Sequence, residues 1–469
     1  MQRVSTILIP LLLALAAGAA VVLWLRGPAV TVATRTPNDS ADGPPSATQP
    51  LNPAAKGKLT TGPGVAADLP GAGDWPHFRG AEYDGVAHDA GHLARQWPAG
   101  GPPVLWSIAV GDGYAGAAVR AGRVFLIDHD AAAHYDVVRC LSLADGRDIW
   151  DYRYPIKIKP NHRITRTTPA VTERYLVTLG PKCHVVCLRP DSGQFLWAKD
   201  LAGELGATVP EWYAGQCPMI DGERVILATG GPDLLVAVEA ETGKVIWRSP
   251  NPRQWKMTHG SIVPMTLGGR RTYIYCGSGG VCGISADDGA ILWDFTDWKI
   301  SIANIASPVV IGDGRILLAG GYGSGSMMIR VEPAGDHAKV TTLWRLKPEV
   351  FGATQQTPIL YEGHLYGVRP EPDNRLVCLS LEGKELWSST PDATFGLGPF
   401  LIADGLILAM NDNGQLSCAQ ATPAGYHRLA QAGVLAGPES WGPMALAGTR
   451  LLARDATHLI CLSLAEPGQ

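Results

Sequence analysis

The chain has 469 residues, 46% of them apolar, and a formal net charge of -4 with acidic and basic residues interspersed. That balance argues against nucleic-acid binding and against a polybasic membrane patch. The nine cysteines include no CxxC pair and no Cys/His cluster at zinc spacing, so no metal site is expected, and the odd number leaves at least one thiol free.

In chain order, the first feature is an uncharged apolar run from Ser5 to Leu25, bracketed by Arg3 and Arg26. It is long enough to cross a bilayer core of about 30 Å. Because Val21 to Leu25 continue the run past the small residues Ala17-Gly18-Ala19, residues 1–26 are read as a retained signal anchor, a transmembrane helix, in preference to a cleaved signal peptide. Either reading exports the rest of the chain. The expected location is a single pass through the inner (cytoplasmic) membrane, with the body on the periplasmic side. Residues 27–72, rich in Pro, Ala, Thr and Gly, have too few large apolar groups to offset their ordering entropy and are expected to be a disordered linker. Order resumes at 73–101 with Asp74-Trp75-Pro76-His77-Phe78-Arg79-Gly80 and then Asp84-Gly85-Val86, whose aromatics suggest a strap pinned against a larger body.

Residues 102–469 carry an internal repeat. Trp150, Trp197, Trp247, Trp293, Trp344 and Trp387 recur, and in five of the six cases a glycine stands four residues earlier: Gly146, Gly193, Gly243, Gly289 and Gly383. An acidic residue followed shortly by glycine, between two apolar runs, is hairpin chemistry, because glycine takes φ > 0 without steric cost. Alternating strands precede each turn, as in Val138 to Leu143, and a strand ending in tryptophan follows it. Pro169, Pro218, Pro264, Pro308, Pro358, Pro399 and Pro443 mark the openings of the units, where proline sacrifices no ladder hydrogen bond. Four strands in about fifty residues make a propeller blade. Adding the opening near Tyr114 to Val119 gives eight units, with seven as the alternative because the unit from Phe400 to Gln431 lacks its tryptophan. The last unit also lacks a tryptophan strand, and Pro103-Val104-Leu105-Trp106-Ser107-Ile108 supplies one from the other end, closing the ring.

The motif Asp/Glu-Thr/Ser-Gly-x-x-x-Trp, together with the Asp74-Trp75-Pro76 entry motif, resembles the repeats of the pyrroloquinoline-quinone-like β-propeller family over about residues 74–465. That family holds both the outer-membrane assembly propellers, BamB-like proteins, and the quinoprotein dehydrogenases. The resemblance implies an all-β, eight-bladed propeller. It also implies a structural docking role between blades for Trp106, Trp150, Trp197, Trp247, Trp293, Trp344 and Trp387.

Cys140, Cys187, Cys378, Cys418 and Cys461 occupy matching strands and read as small buried apolar residues, whereas Cys276 and Cys282 flank a glycine turn and are candidates for a disulfide. Gly320 to Gly325 lacks the lysine of a phosphate loop and reads as a blade turn. Candidate ligand-binding residues at the channel mouth are Arg166, Thr167, Trp212, Tyr213, Gln216, His259, Asn304, Gln355, Gln356, Glu439 and Trp441, which stand just before the repeated prolines. No catalytic residue is assigned. The expected function is a membrane-anchored scaffold for an unidentified protein or small-molecule ligand, with no cofactor. The alternative is a quinone- and calcium-dependent dehydrogenase of alcohols or sugars, with Trp212, Glu211, Glu439 and Trp441 near the cofactor. Against it stand the absence of adjacent cysteines and the short repeat intervals.

Overall fold

The hairpin chemistry of the repeat produces four-stranded antiparallel sheets that follow one another along the chain. The computed structural model describes residues 52–466, apart from 67, 68, 70, 301, 336 and 438. The expected signal anchor and most of the expected linker lie outside the described residues. Among the described residues no helix is long and apolar enough to cross a membrane.

There are eight blades. Blade 1 runs from its first strand Ala118–Arg120 to Asp148–Pro155, and blade 2 from Ala170–Val171 to Phe195–Asp200. Blade 3 runs from Met219–Asp221 to Val245–Pro250, blade 4 from Val263–Leu267 to Ile291–Phe295, and blade 5 from Val309–Gly312 to His337–Leu346. Blade 6 runs from Ile359–Tyr361 to Glu385–Ser388, and blade 7 from Phe400–Ala403 to Arg428–Gly433. Blade 8 starts at Ala445–Ala447 and takes its outer strand, Val104–Ala109, from the N-terminal side. There Val104 pairs with Leu462 and Trp106 with Cys461, so the two ends of the chain close the ring. First strands of neighbouring blades lie against one another around the axis.

The cores lie between blades, where facing sheets bury Val, Leu, Ile and Ala together with the tryptophans. Opposite each of these tryptophans the register sets Cys461, Cys140, Cys187, Ala237, Gly283, Met328 or Cys378. Mostly small partners leave room for the indole to reach the next blade. Trp106 Nε1 donates to Leu143 O at 3.0 Å, Trp150 to Pro190 O at 3.3 Å, Trp197 to Ala240 O at 2.8 Å and Trp247 to Ala286 O at 3.1 Å. Trp344 donates to Leu381 O at 2.9 Å and Trp387 to Thr422 O at 2.8 Å. Trp293 is buried in the same way without an acceptor, because blade 5 extends there into a hairpin of two ten-residue strands, Gly325–Ala334 and His337–Leu346. Blade 7 has Ala430 in the tryptophan position, opposite Cys418, yet forms a full sheet.

Two expectations need correction. The segment Lys58–Thr61, inside the expected linker, is a strand that pairs with Asp148–Pro155 as a fifth strand of blade 1. It is preceded by a single turn, Pro53–Lys56, whose Ala54 is fully buried and accepts the Tyr152 hydroxyl at 2.9 Å. Its sequence has no alternation to announce it: all four residues are exposed, and backbone pairing holds the strand. A Cys276–Cys282 disulfide does not form. The hairpin register sets Cys276 opposite Val281, so Cys282 points through the other face of the sheet, into the core shared with blade 3.

Gly146 shows why the repeat needs its glycine. Its φ is +72°, and a Cβ there would lie 2.8 Å from the Trp106 ring. Gly146→Ala is therefore expected to destabilise the protein by about 2 kcal/mol or more, and Trp106→Ala by about 3–5 kcal/mol. Urea midpoints for the two variants, set beside that of Gly222→Ala, where a Cβ meets open space, would check both values.

Candidate functional site

The residues just before each first strand decide how the axis is lined. In blades 2 to 6 they sew neighbouring blades together. The Thr168 amide donates to Cys217 Sγ at 3.2 Å, Cys217 N to Ser261 Oγ at 3.0 Å, Ser261 N to Ser307 Oγ at 3.0 Å, and Ser307 N to Thr357 Oγ1 at 3.0 Å. Each bond joins one blade to the next, so short hydroxyl and thiol side chains form a belt around the channel. Burial pushes the Cys217 thiol up, which suits an acceptor and not a nucleophile.

The entry strap closes the far end of this channel. Trp75 bridges to Val119 of blade 1, Pro76 O accepts from Val171 N of blade 2, and the Tyr83 hydroxyl reaches Ile220 O of blade 3. Arg79 crosses to blade 6, donating to Thr357 O at 3.0 Å and Pro358 O at 3.1 Å, and Val86–Ala87 pairs in parallel with blade 7. Trp75, Phe78, Arg79 and Gly85 thereby become the floor of a cavity of about 370 Å³ whose walls come from the blade openings. The result is a cup, within the size range of small-molecule pockets.

Of the candidate residues, Arg166, Trp212, His259, Gln355, Gln356 and Trp441 line this cup together. The other five do not. Thr167 is buried and gives its hydroxyl to Leu179 O at 2.6 Å, and Gln216 gives its amide to Ala228 O at 3.0 Å. The Tyr213 hydroxyl is held by Lys159 O. Asn304 is buried and its backbone carbonyl accepts from His259 and Gly260. Glu439 is taken up by Arg163, with Nε–O at 2.7 Å, and by the Tyr114 hydroxyl at 3.2 Å. Polar residues at a blade opening satisfy backbone groups as readily as they face a channel, and sequence alone does not separate the two. Sequence reasoning missed Tyr114, His162 and Tyr322 in the walls and preferred packing to a ligand role for Trp75, Phe78 and Arg79. Tyr322 sits at the tip of the glycine-rich turn between Arg315–Gly320 and Gly325–Ala334, and its φ of +53° gave no pattern to read.

One wall is an aromatic arc. Tyr114 lies 5.3 Å from Trp441, whose indole N–H donates to Asp412 Oδ1 at 2.7 Å, and Trp212 lies 6.5 Å from His259. The Arg166 guanidinium sits 5.9 Å from the Tyr114 ring centre. Burial, followed by the charge of Arg166, pushes His259 down to about 4, and burial does the same to His77, which stacks on Tyr83 at 3.8 Å. Both imidazoles are therefore neutral at pH 7. The unfolded chain, with histidines near 6.5, takes up protons first as pH falls, so stability drops between about pH 6.5 and 4. Over that interval His77→Phe and His259→Gln are each expected to lose roughly 1–3 kcal/mol less than the parent. Thermal melts of the three proteins at pH 7 and 4.5 test this, and parallel losses would refute it.

No curated protein matches the sequence. Among solved structures the fold is similar to BamB from Moraxella catarrhalis, with a TM-score of 0.52 at 14% identity, covering 77% of this chain and 99% of that one. It is also similar to the computationally designed Ika8 protein, with a TM-score of 0.50 at 10% identity, covering 77% and 99%. A europium-containing methanol dehydrogenase aligns with a TM-score of 0.49 at 9% identity, covering 84% and 98%. The profile of the family described as outer membrane protein assembly factor BamB matches residues 134–389, more than half of the chain. With eight blades closed by both chain ends, the chain belongs to this BamB-like family of pyrroloquinoline-quinone-like β-propellers.

Proposed function

We propose that this propeller is a non-catalytic binding scaffold, tethered to the membrane by residues 1–26 on the extracytoplasmic side, and that its cup is the ligand site. One observation carries the reading. The cup has a floor and aromatic walls, but no aspartate or glutamate is among the residues that line it. Such a site can stack, hydrogen-bond and attract charge, but it offers no carboxylate base for removing a substrate proton.

The residues do not fit a calcium-bound quinone. Calcium takes six to eight oxygen ligands, with carboxylates prominent among them. Glu439 is already occupied by Arg163 and Tyr114, and Glu211 is exposed and outside the cup. Among the described residues no group of three His, Cys, Asp or Glu side chains converges as a metal site. The nine cysteines are buried and free, and no two are adjacent in the sequence.

Full-length protein in detergent, supplied with quinone and Ca²⁺, is expected to reduce no redox dye with alcohols or sugars. Turnover that depends on both additions would overturn the scaffold reading. Trp212→Ala and Trp441→Ala are expected to weaken any ligand bound in the cup by about tenfold each while leaving the fold intact, as aromatic contacts of about 0.5–1.5 kcal/mol imply. Calorimetry alongside far-ultraviolet circular dichroism would read both effects.

A further inference from the structure

The cup lies in a protein of net charge -4, yet its lining holds two arginines, two histidines and no acid. Both arginines are anchored by backbone carbonyls, not by carboxylates. Arg79 donates to Tyr83 O at 3.0 Å, Asp84 O at 2.7 Å, Thr357 O at 3.0 Å and Pro358 O at 3.1 Å. Arg166 donates to Arg163 O at 3.3 Å, Ile164 O at 3.1 Å, Asn161 O at 3.0 Å and His162 O at 2.5 Å. A guanidinium has five N–H groups, so four such bonds leave one on each arginine. A third arginine, Arg454, is buried behind the wall at Gly442 and is held likewise by Asp455 O, Ala115 O, Gly111 O and Ala456 O.

The neighbouring acids all have partners; Asp412, behind Trp441, accepts from the Trp441 indole at 2.7 Å and from Leu397 N at 2.8 Å. Asp112 and Glu439 bracket Arg163 at 2.6 Å each, and Asp84 pairs with His88 at 2.7 Å. Asp128 pairs with Arg139 at 3.3 Å, and Asp455 accepts from the Thr457 and His458 amides at 2.8 Å. The loop that carries His162 and Arg166 adds exposed Lys157 and Lys159, and no acid occurs between Asp151 and Glu173. Carbonyl dipoles hold the arginines in place, and no carboxylate stands among the cup-lining residues to face them. Burial pushes Arg79, Arg166 and Arg454 down to about 10, so all three remain cationic at neutral pH.

We propose that the cup selects a small organic acid, a carboxylate on an apolar body of ring size, with the anion in the field of Arg79 and Arg166 and the body against Trp212, Tyr322 and Trp441. This rests on the cup being the ligand site of a scaffold and adds the chemical class of the ligand. A free acid and the C-terminus of a peptide share this chemistry, and the cavity of about 370 Å³ admits either one small molecule or a single terminal residue.

The test uses full-length protein in detergent, with benzoate, 2-naphthoate and indole-3-acetate, each beside its primary amide, and a short peptide ending in free Phe beside its amidated form. Calorimetry and tryptophan fluorescence are read at pH 7 without quinone or Ca²⁺. At least one acid is expected to saturate the cup and to bind about tenfold or more tightly than its amide. Preference shown by the free acids alone identifies a metabolite-sized ligand, and preference shown also by the peptide identifies a chain terminus; both support the assignment. Arg166→Gln should bring acid and amide to within about threefold of one another. If no acid binds better than its amide in the unmodified protein, the assignment fails whether or not the variant folds. That failure is distinct from dye turnover, which would overturn the scaffold reading and leave the acid preference as measured.

Discussion

An indole laid across the gap between two sheets is the contact on which the rest of the molecule depends. A four-stranded sheet has two apolar faces, and in a ring each face must be covered by the next sheet. The tryptophan supplies the bulk, and its N–H ties it to a carbonyl one blade further on. A glycine in the next turn and a mostly small residue across the strand make room for it. These three demands fall at fixed offsets, so the repeat is written into the sequence as one short phrase. The seam between blades 7 and 8 shows the rule by its exception. Ala430 replaces the indole there, and the strap covers the gap: Leu93 N donates to Asp404 of blade 7, and Ala94 N donates to Leu464 of blade 8.

That substitution changes what the strap is. A segment that only packed on a finished propeller would be dispensable, but this one closes a seam with its second half and floors the channel with its first. Arg79 fixes the floor, because its fork satisfies carbonyls of the strap and of blade 6 at once. The fork geometry is the reason for arginine here, since a lysine cannot hold carbonyls on two segments in one plane.

Much of this was legible in the residues, for reasons that can be named. Ring closure follows from Trp106 and the unfinished final unit, because a leftover strand at each end has one place to go; the choice of eight blades over seven waited on the unit without a tryptophan, which forms a full sheet. The positions along the axis were harder. Thr167 and Gln216 have the same polar character as Gln355 and His259 and the same place before a first strand, yet their side chains turn to backbone carbonyls, and Asn304 is buried outside the cup. The choice is made by the local backbone at each opening, which leaves no trace in composition. Lys58–Thr61 was hidden for another reason: a strand added to an outer edge buries no side chain, so no alternation marks it. The opposed faces of Cys276 and Cys282 could have been read, since a two-residue turn at Ser278-Gly279 fixes the register and the parity of every position after it.

The electrostatics of the cup follow from the same bookkeeping of backbone groups. Where the strap and the loop 156–166 cross the ends of the blades, carbonyls are left without ladder partners, and a buried carbonyl left unpaired is costly. Arginine is the side chain that can satisfy four of them from one point, and it brings a charge that the fold itself does not require. A carboxylate beside it would neutralise that charge, and none is among the residues that line the cup. Closing the channel with guanidiniums therefore leaves arginine and no carboxylate in the lining of the cup, so the groups that complete the fold are the same ones an entering anion meets.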